Sequence, residues 1–203
     1  MSERLSLRGL HAGTVGPIDL DLPAGECVAL FGPSGTGKTL LLRAIADLDP
    51  QQGELRLDGV EHLAMSGPEW RRQVAYLPAE SGWWADRVSD HFGAVEATAL
   101  DRLGFQAATL DWAVARLSSG ERQRLAILRL LANRPAVLLL DEPTANLDPQ
   151  SAQRVEALIA EYLAESGAAV LWVSHDPAQR ERVASRQLRL EHGRLEEAGA
   201  ATP

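Results

Sequence analysis

The run Gly32-Pro33-Ser34-Gly35-Thr36-Gly37-Lys38-Thr39 is the first place where residue types and spacing could do chemistry. An apolar stretch, Cys27 to Phe31, precedes it, and the helical run Leu40 to Ala46 follows. That strand-loop-helix context is what a phosphate-cradling loop requires. Glycines let the backbone curl until successive N–H groups face inward at phosphate oxygens, and a helix beginning there adds its positive end. Lys38 is then placed to reach β- and γ-phosphates, and Thr39 to offer a hydroxyl to Mg²⁺. The candidate nucleotide contacts extend from Gly32 through Leu40. The plainer alternative, a glycine-rich turn with an exposed lysine, is disfavoured by the flanking elements.

A second run, Val137-Leu138-Leu139-Leu140-Asp141-Glu142-Pro143, ends four apolar residues in two carboxylates. A buried strand beside the first would deliver Asp141 to the mouth of the loop, where it can orient a Mg²⁺ shell. Glu142 is then placed to polarise a water for attack on a γ-phosphate. Taken singly, the run is equally a strand ending in a solvated acidic turn. The third run, Leu117-Ser118-Ser119-Gly120-Glu121-Arg122-Gln123-Arg124, opens a predicted helix with small residues, leaving backbone N–H groups free for an anion. A serine N-cap of an ordinary helix explains that spacing as well.

These residues need a scaffold. Four apolar runs, Cys27 to Phe31, Val74 to Leu77, Val137 to Leu140 and Ala169 to Val173, read as buried strands, and helical patterns separate several of them. The expected fold is therefore α/β, with a mostly parallel sheet covered on both faces. Ile18 to Leu22 and Glu54 to Asp58 alternate at period two, as half-exposed antiparallel strands would, with turns at Pro23-Ala24-Gly25-Glu26 and Asp58-Gly59. From Arg87 to Leu131 the helical pattern is nearly continuous, broken near Gly104 and at Ser118 to Gly120. The expected division is one domain: an antiparallel β subdomain plus α/β core over 1–86 and 132–195, a small helical subdomain over 87–131, and a frayed tail over 196–203.

Composition narrows the function classes. At 203 residues and 45% hydrophobic, the chain can bury one sizeable core. A net charge of −8 argues against a nucleic-acid partner, and the cluster Arg122, Arg124 and Arg129 reads as a solvated helix face that favours phosphate nearby. Apolar runs such as Ala136 to Leu140 fall well short of the ~20 residues of a membrane span. The first eight residues lack the apolar region of a secretory signal, and the single cysteine, Cys27, reads as a buried, inert thiol. The expectation is a reducing, cytoplasmic setting.

The order of motifs now carries a resemblance. The phosphate loop, then Leu117-Ser118-Ser119-Gly120-Glu121, Leu140-Asp141-Glu142-Pro143, Ala145-Asn146-Leu147-Asp148 and Ser174-His175-Asp176, resembles the nucleotide-binding subunit of ABC transporters over nearly the whole chain. The resemblance implies a P-loop NTPase core, ATP and Mg²⁺ as cofactors, and a homodimer that closes head to tail around two ATP molecules. Ser118 to Glu121 would complete the opposite subunit's site, with Ser118 and Gly120 at the γ-phosphate. Asp148 would link the two sites, and His175 would contact the γ-phosphate in cis. A transmembrane permease subunit would be the partner, with this chain peripheral on the inner face of the cell membrane. Brevity and the run Ala169 to Asp176 look most like small bacterial stand-alone cassettes of the iron or metal exporter type. A non-transport cassette of DNA repair or translation would usually carry paired cassettes or long insertions. A P-loop small-molecule kinase would leave Leu117 to Glu121 and Ala145 to Asp148 unexplained.

Three positions depart from the family pattern. Ser119 stands where a glycine is usual. Ala79, after Val74-Ala75-Tyr76-Leu77-Pro78, replaces a glutamine that senses Mg²⁺ and relays to the membrane partner; Glu80 is the candidate to substitute for it as a metal residue. For the adenine, His11 is the candidate ring, with Val15 the other sizeable neighbour. Trp83 and Trp84 cannot both point into one core from an extended strand, so at least one is expected in the groove that receives the permease; the alternative packs both in the helical lobe. Trp70, Trp112 and Trp172 read as packing residues.

Overall fold

Alternation of apolar and polar residues shapes the first two strands, β1 (Glu3–Ala12) and β2 (Val15–Pro23), which pair antiparallel with one face buried. The computed structural model describes residues 3–93 and 97–198. After β3 (Cys27–Phe31) come α1 (Lys38–Ile45), β4 (Gln52–Leu57), β5 (Val60–Glu61), α2 (Gly67–Gln73) and β6 (Val74–Leu77). The middle of the chain holds α3 (Ala97–Arg102) and α4 (Ser119–Leu131). It ends with β7 (Val137–Asp141), α5 (Pro149–Ser166), β8 (Ala169–Val173), α6 (Pro177–Val183), β9 (Arg186–Glu191) and β10 (Arg194–Glu197).

Two sheets result. One is antiparallel with strand order β2-β1-β4-β5; the other runs β10-β9-β3-β8-β7-β6 and is parallel except at the β9–β10 hairpin. β7 and β8 are buried at every residue, as strands covered on both faces must be, which explains why they are apolar throughout except at Asp141. One core lies between the antiparallel sheet, α1 and one face of the parallel sheet, around Leu7, Leu42, Trp70 and Leu139. The other lies on the opposite face, where Leu100, Phe105, Leu125 and Ile159 meet Leu138, Leu140 and Trp172. The helical segment thus shares its core with the sheet.

The carboxyl ends of β3, β7 and β8 stop at one level, since Leu30 and Asp141 both sit in register with Val173. In an open parallel sheet the crevice beyond such ends is where ligands bind. The phosphate loop, Glu142 and Ser174-His175 each follow one of these strands directly.

Several expectations need correction. Among the described residues, the nearly continuous helical pattern over 87–131 yields two α-helices and short 3₁₀ turns at Ser89–His91, Ala107–Asp111 and Val114–Arg116. The reason is tertiary: Val88 N–H donates to the Trp112 carbonyl at 3.0 Å and Val114 N–H to the Asp86 carbonyl at 2.8 Å, a cross-link no helix can accommodate. The tail does not fray from Glu196, because Glu196 and Glu197 pair with Arg189 and Leu188. His192 (φ 48°) and Gly193 (φ 76°) supply the tight turn that brings them back. The remainder of that expected tail, 199–203, lies outside the described residues. The basic cluster is not a uniformly solvated face either. Arg122 is exposed, but Arg124 lies over the Phe105 ring at 4.7 Å and Arg129 over the rings of Trp83 and Trp84 at 4.8 and 4.7 Å.

Trp70 and Trp172 are packing residues as expected, and Trp112 is half-buried. Cys27 is buried, and desolvation pushes its thiol pKa up to about 12, which makes it inert. Trp84 is 73% exposed and Trp83 half-buried, so the two do not pack together inside the lobe.

Candidate functional site

The phosphate loop takes its shape from glycines that could not be replaced. Gly37 (φ 98°) caps α1 in a left-handed conformation, and a Cβ there would strike the Val15 side chain. Gly32 (φ 152°) passes so close to the Leu190 carbonyl that a Cβ would collide with it. Inside the loop, Thr36 Oγ1 donates to the Pro33 carbonyl at 2.9 Å. Lys38 Nζ donates to the carbonyls of Gly32 at 2.9 Å and Pro33 at 3.0 Å, so the ammonium lies folded along the loop, and the residue as a whole is 7% exposed. Burial lowers the Lys38 pKa, while the charges of Glu142 and Asp141 act to raise it.

β7 delivers the two carboxylates. Asp141 Oδ2 accepts from Thr39 Oγ1 at 2.7 Å and from the Tyr76 hydroxyl at 3.2 Å, and the residue is 5% exposed. Burial, followed by the charge of Asp141, raises the Tyr76 pKa, so the phenol stays protonated and donates. Glu142 adopts φ 49°, a left-handed conformation that a residue with a side chain seldom takes and that costs about 1–3 kcal/mol. The bend ends the strand abruptly: Glu142 N–H donates to the Val173 carbonyl at 3.2 Å, and its own carbonyl accepts from Ala145 N–H at 3.2 Å. From the end of β8, His175 Nε2 comes within 3.1 Å of Glu142 Oε1.

Ser34, Gly35, Gly37, Lys38, Thr39, Leu40, Asp141, Glu142 and His175 line one open cavity of about 510 Å³. A volume of that order is in the range of small-molecule sites. Of the expected residues, therefore, most of the loop, both carboxylates and the histidine converge, while Gly32, Pro33 and Thr36 are not part of the lining.

Others do not. Glu80 is exposed and lies outside this cavity, away from Thr39 and Asp141. His11 is exposed and also outside; Thr14, not His11, reaches the rim. Ser118 to Glu121 lie apart from this chain's own loop cavity. There Ser118 caps α4 in a reciprocal box: its backbone N–H donates to Glu121 Oε2 at 2.8 Å and its Oγ accepts from Glu121 N–H at 3.2 Å. Gly120 fits against Asn146 and Leu147, where a Cβ would stand 3.1 Å from the Leu147 side chain. Ser119 is exposed, so its hydroxymethyl group meets no obstacle within the chain. Asp148 caps α5, accepting from Ser151 N–H at 3.0 Å.

Sequence reasoning missed Tyr76, Thr14 and the pair Arg43–Asp49, joined by two bonds of 2.7 and 2.8 Å along the same cavity. Arg43 four residues beyond Thr39 on α1 was a helical-spacing signal available for its placement.

The profile of the ABC transporter family matches residues 15–145. The rice (Oryza sativa subsp. japonica) protein STAR1 is 37% identical over 180 residues, covering 82% of this chain and 52% of that protein. The probable iron export ATP-binding protein FetA of Escherichia coli K12 is 35% identical over 172 residues, covering 78% of this chain and 76% of the relative. The thiamine import ATP-binding protein ThiQ of Chelativorans sp. BNC1 is 34% identical over 200 residues, covering 91% and 80%. The chain thus spans about half the length of the rice relative and at least three quarters of these two bacterial ones. Among solved structures, an ATP-binding subunit of an ABC transporter matches with a TM-score of 0.83 at 26% identity, covering 96% of this chain and 89% of that one. A dimeric cassette in a post-hydrolysis state with ADP and Pi matches at 0.78 and 23% identity, covering 96% and 97%, a likeness of fold.

Proposed function

From the premise that this chain belongs to the ABC transporter family of ATP-binding cassettes, we propose that it hydrolyses ATP as a homodimer to drive a separate transmembrane permease. The observation that carries the reading is the convergence of Lys38, Thr39, Asp141, Glu142 and His175 on one cavity at the carboxyl ends of three adjacent strands. Lys38 exchanges its loop carbonyls for β- and γ-phosphate oxygens. Glu142 accepts a proton from the attacking water, and His175 holds the γ-phosphate while fixing the Glu142 side chain.

Mg²⁺ fits the donor set, which is oxygen only: the Thr39 hydroxyl and the Asp141 carboxylate, 2.7 Å apart, with the phosphates supplying the rest. Among the described residues no group of three or more His, Cys, Asp or Glu converges to hold a metal alone, in keeping with an ion shared with the nucleotide. When bound, Mg²⁺ neutralises charge that develops on the phosphates.

The second copy supplies Ser118, Ser119, Gly120 and Glu121 across the nucleotide, with Asp148 bridging the two sites. Exposure of Ser118 and Ser119 away from their own loop supports that arrangement. No helix among the described residues is long and apolar enough to cross a membrane, and the reading places the chain peripherally, on the inner face, against its permease. Trp84, 73% exposed and braced by Arg129 and His91, is the anchor of the docking groove. Relatives of similar identity are named for iron export and for thiamine import, so cargo and direction are assigned to the permease.

Glu142→Gln tests the reading. Turnover should fall at least about a hundredfold while an ATP-stabilised dimer accumulates on size exclusion. Unchanged turnover with no such dimer defeats it.

A further inference from the structure

Gln179, on α6, is 6% exposed and bonds to three separate elements. Its Oε1 accepts from Ser174 Oγ at 2.8 Å, while Nε2 donates to Thr144 Oγ1 at 2.7 Å and to Glu156 Oε1 at 2.8 Å. Both amide hydrogens and the carbonyl are in use, which fixes the amide's orientation. Ser174 Oγ in turn accepts from the Asp176 backbone N–H at 3.1 Å, folding the end of β8 around the intervening His175. Thr144 lies two residues past Glu142, inside the turn closed by the Ala145 N–H bond to the Glu142 carbonyl. Glu156 is anchored from outside by Arg182, through bonds of 3.1 and 3.0 Å.

Arg180, the next residue, is 8% exposed and holds Ser174 from its other side. Its Nη1 donates to the Ser174 carbonyl at 3.3 Å and its Nε to Gln187 Oε1 at 3.1 Å. The guanidinium stacks 4.2 Å from the centroid of Phe31, the last residue before the phosphate loop. Those bonded partners are all neutral, and although the charges of Asp176 and Glu181 act to favour the cation, its burial against a ring and carbonyls dominates and lowers its pKa.

We propose that Gln179, backed by Arg180, is a positioning residue for the Glu142–His175 pair: its amide ties the loop carrying His175 to the turn carrying Glu142 and sets their 3.1 Å approach. This rests on the reading of Glu142 and His175 as the hydrolytic pair. A merely structural pin between α5 and α6 would change thermal stability without separating kcat from KM.

Gln179→Met keeps the side chain's length and removes its donors and acceptor. In the full chain with ATP and Mg²⁺, kcat should fall about ten- to a hundredfold, with KM for ATP shifting less than about threefold. Ser174→Ala and Thr144→Val, each cutting one arm, should give smaller falls of the same kind. In a His175→Ala background, followed by single turnover at high enzyme, Gln179→Met should add less than about twofold, because residues that act as a unit are not additive. Wild-type kcat in Gln179→Met, or a full loss multiplied onto His175→Ala, overturns the proposal. If Gln179→Met fails to fold, wild-type kcat in both single-arm variants overturns it instead. Turnover indifferent to Glu142→Gln would defeat the underlying reading; turnover sensitive to Glu142→Gln but not to Gln179→Met defeats the clamp alone.

Discussion

Thr39 Oγ1 donates to Asp141 Oδ2 at 2.7 Å, joining at one point two residues 102 apart in sequence. The Tyr76 hydroxyl donates to the same oxygen at 3.2 Å. The start of α1 and the strands β6 and β7 are thereby locked together where the phosphate loop ends. Neither hydroxyl carries charge to neutralise the carboxylate, which leaves it available to a cation.

Separating those two hydroxyls gives the first prediction. Tyr76→Phe removes a hydrogen bond that positions Asp141 but no expected ligand, so it should cost about 1 kcal/mol of stability. In a domain of this size that lowers Tm by about 2–4 °C. Asp141→Asn should cut hydrolysis on the order of a hundredfold and flatten its dependence on Mg²⁺. Thermal scans and ATPase assays across a Mg²⁺ titration check both; equal effects of the two substitutions on Mg²⁺ dependence would falsify the division of roles.

Lys38 supplies a prediction with a sign. Burial holds its pKa below the ordinary 10.5, with Glu142 and Asp141 only partly opposing. The unfolded chain therefore binds this proton more tightly than the folded one, and stability of the nucleotide-free chain gains with rising pH across the window that ends at 10.5. Below that window the buried ammonium opposes folding. Lys38→Met lacks the effect, so the stability difference between the two chains should move in favour of the wild type as pH rises from neutral. Paired denaturant titrations at several pH values read it, and a difference constant with pH rules it out. The same variant should lose measurable ATP binding.

Much of this site was legible because each motif stands at a strand end. Four apolar runs marked β3, β6, β7 and β8 closely, and a parallel sheet leaves its carboxyl ends as the only place for Lys38, Asp141 and His175 to meet. What was not legible depends on pairings distant in sequence. Tyr76 meets Asp141 only because β6 lies beside β7, and nothing in Val74 to Leu77 marks which side chain turns to the site. Gln179 reads as one polar residue of a short helix until Thr144, Ser174 and Glu156 surround it. The helical pattern over 87–131 misled because the pairing of residues 86–88 with 112–114 overrides local propensity. His11 was the candidate ring well upstream of the loop, yet position in sequence did not bring it to the rim that Thr14 occupies.

Ser118 carries two expected roles that can be measured apart. As the N-cap of α4 it holds a reciprocal box with Glu121, and Ser118→Ala should cost about 1 kcal/mol. The backbone N–H of Ser118 is the largest influence lowering the Glu121 pKa, with burial opposing and the Ser118 hydroxyl assisting. That contribution is present above the ordinary 4.5 and is lost as pH falls through the lower folded value; the acid loss should be shallower in Ser118→Ala, which retains only the backbone bond. Ser118→Thr should preserve the cap. In a Glu142→Gln background, the alanine variant should also weaken the ATP-stabilised dimer, whereas a cap with no trans role would leave the dimer intact on size exclusion.

Trp172 and Trp84 should differ sharply in what their loss does. Trp172 is 1% exposed in the core between β8 and the helical segment, so Trp172→Ala opens a large cavity and should cost about 3–5 kcal/mol. Its Nε1 has no hydrogen-bond partner among the described residues, so Trp172→Phe removes an unsatisfied donor along with part of the ring and should cost much less. Trp84 is 73% exposed, and its contacts are the edge of His91 at 4.4 Å and the Arg129 guanidinium at 4.7 Å. Trp84→Ala should therefore lose only about 0.5–1 kcal/mol. Urea titrations separate the two, and comparable losses would show that Trp84 is a packing residue after all. If Trp84 instead anchors the permease, Trp84→Ala should reduce co-purification of the membrane partner while ATP binding by the isolated chain stays unchanged. Trp172→Phe should leave both co-purification and ATP binding unchanged.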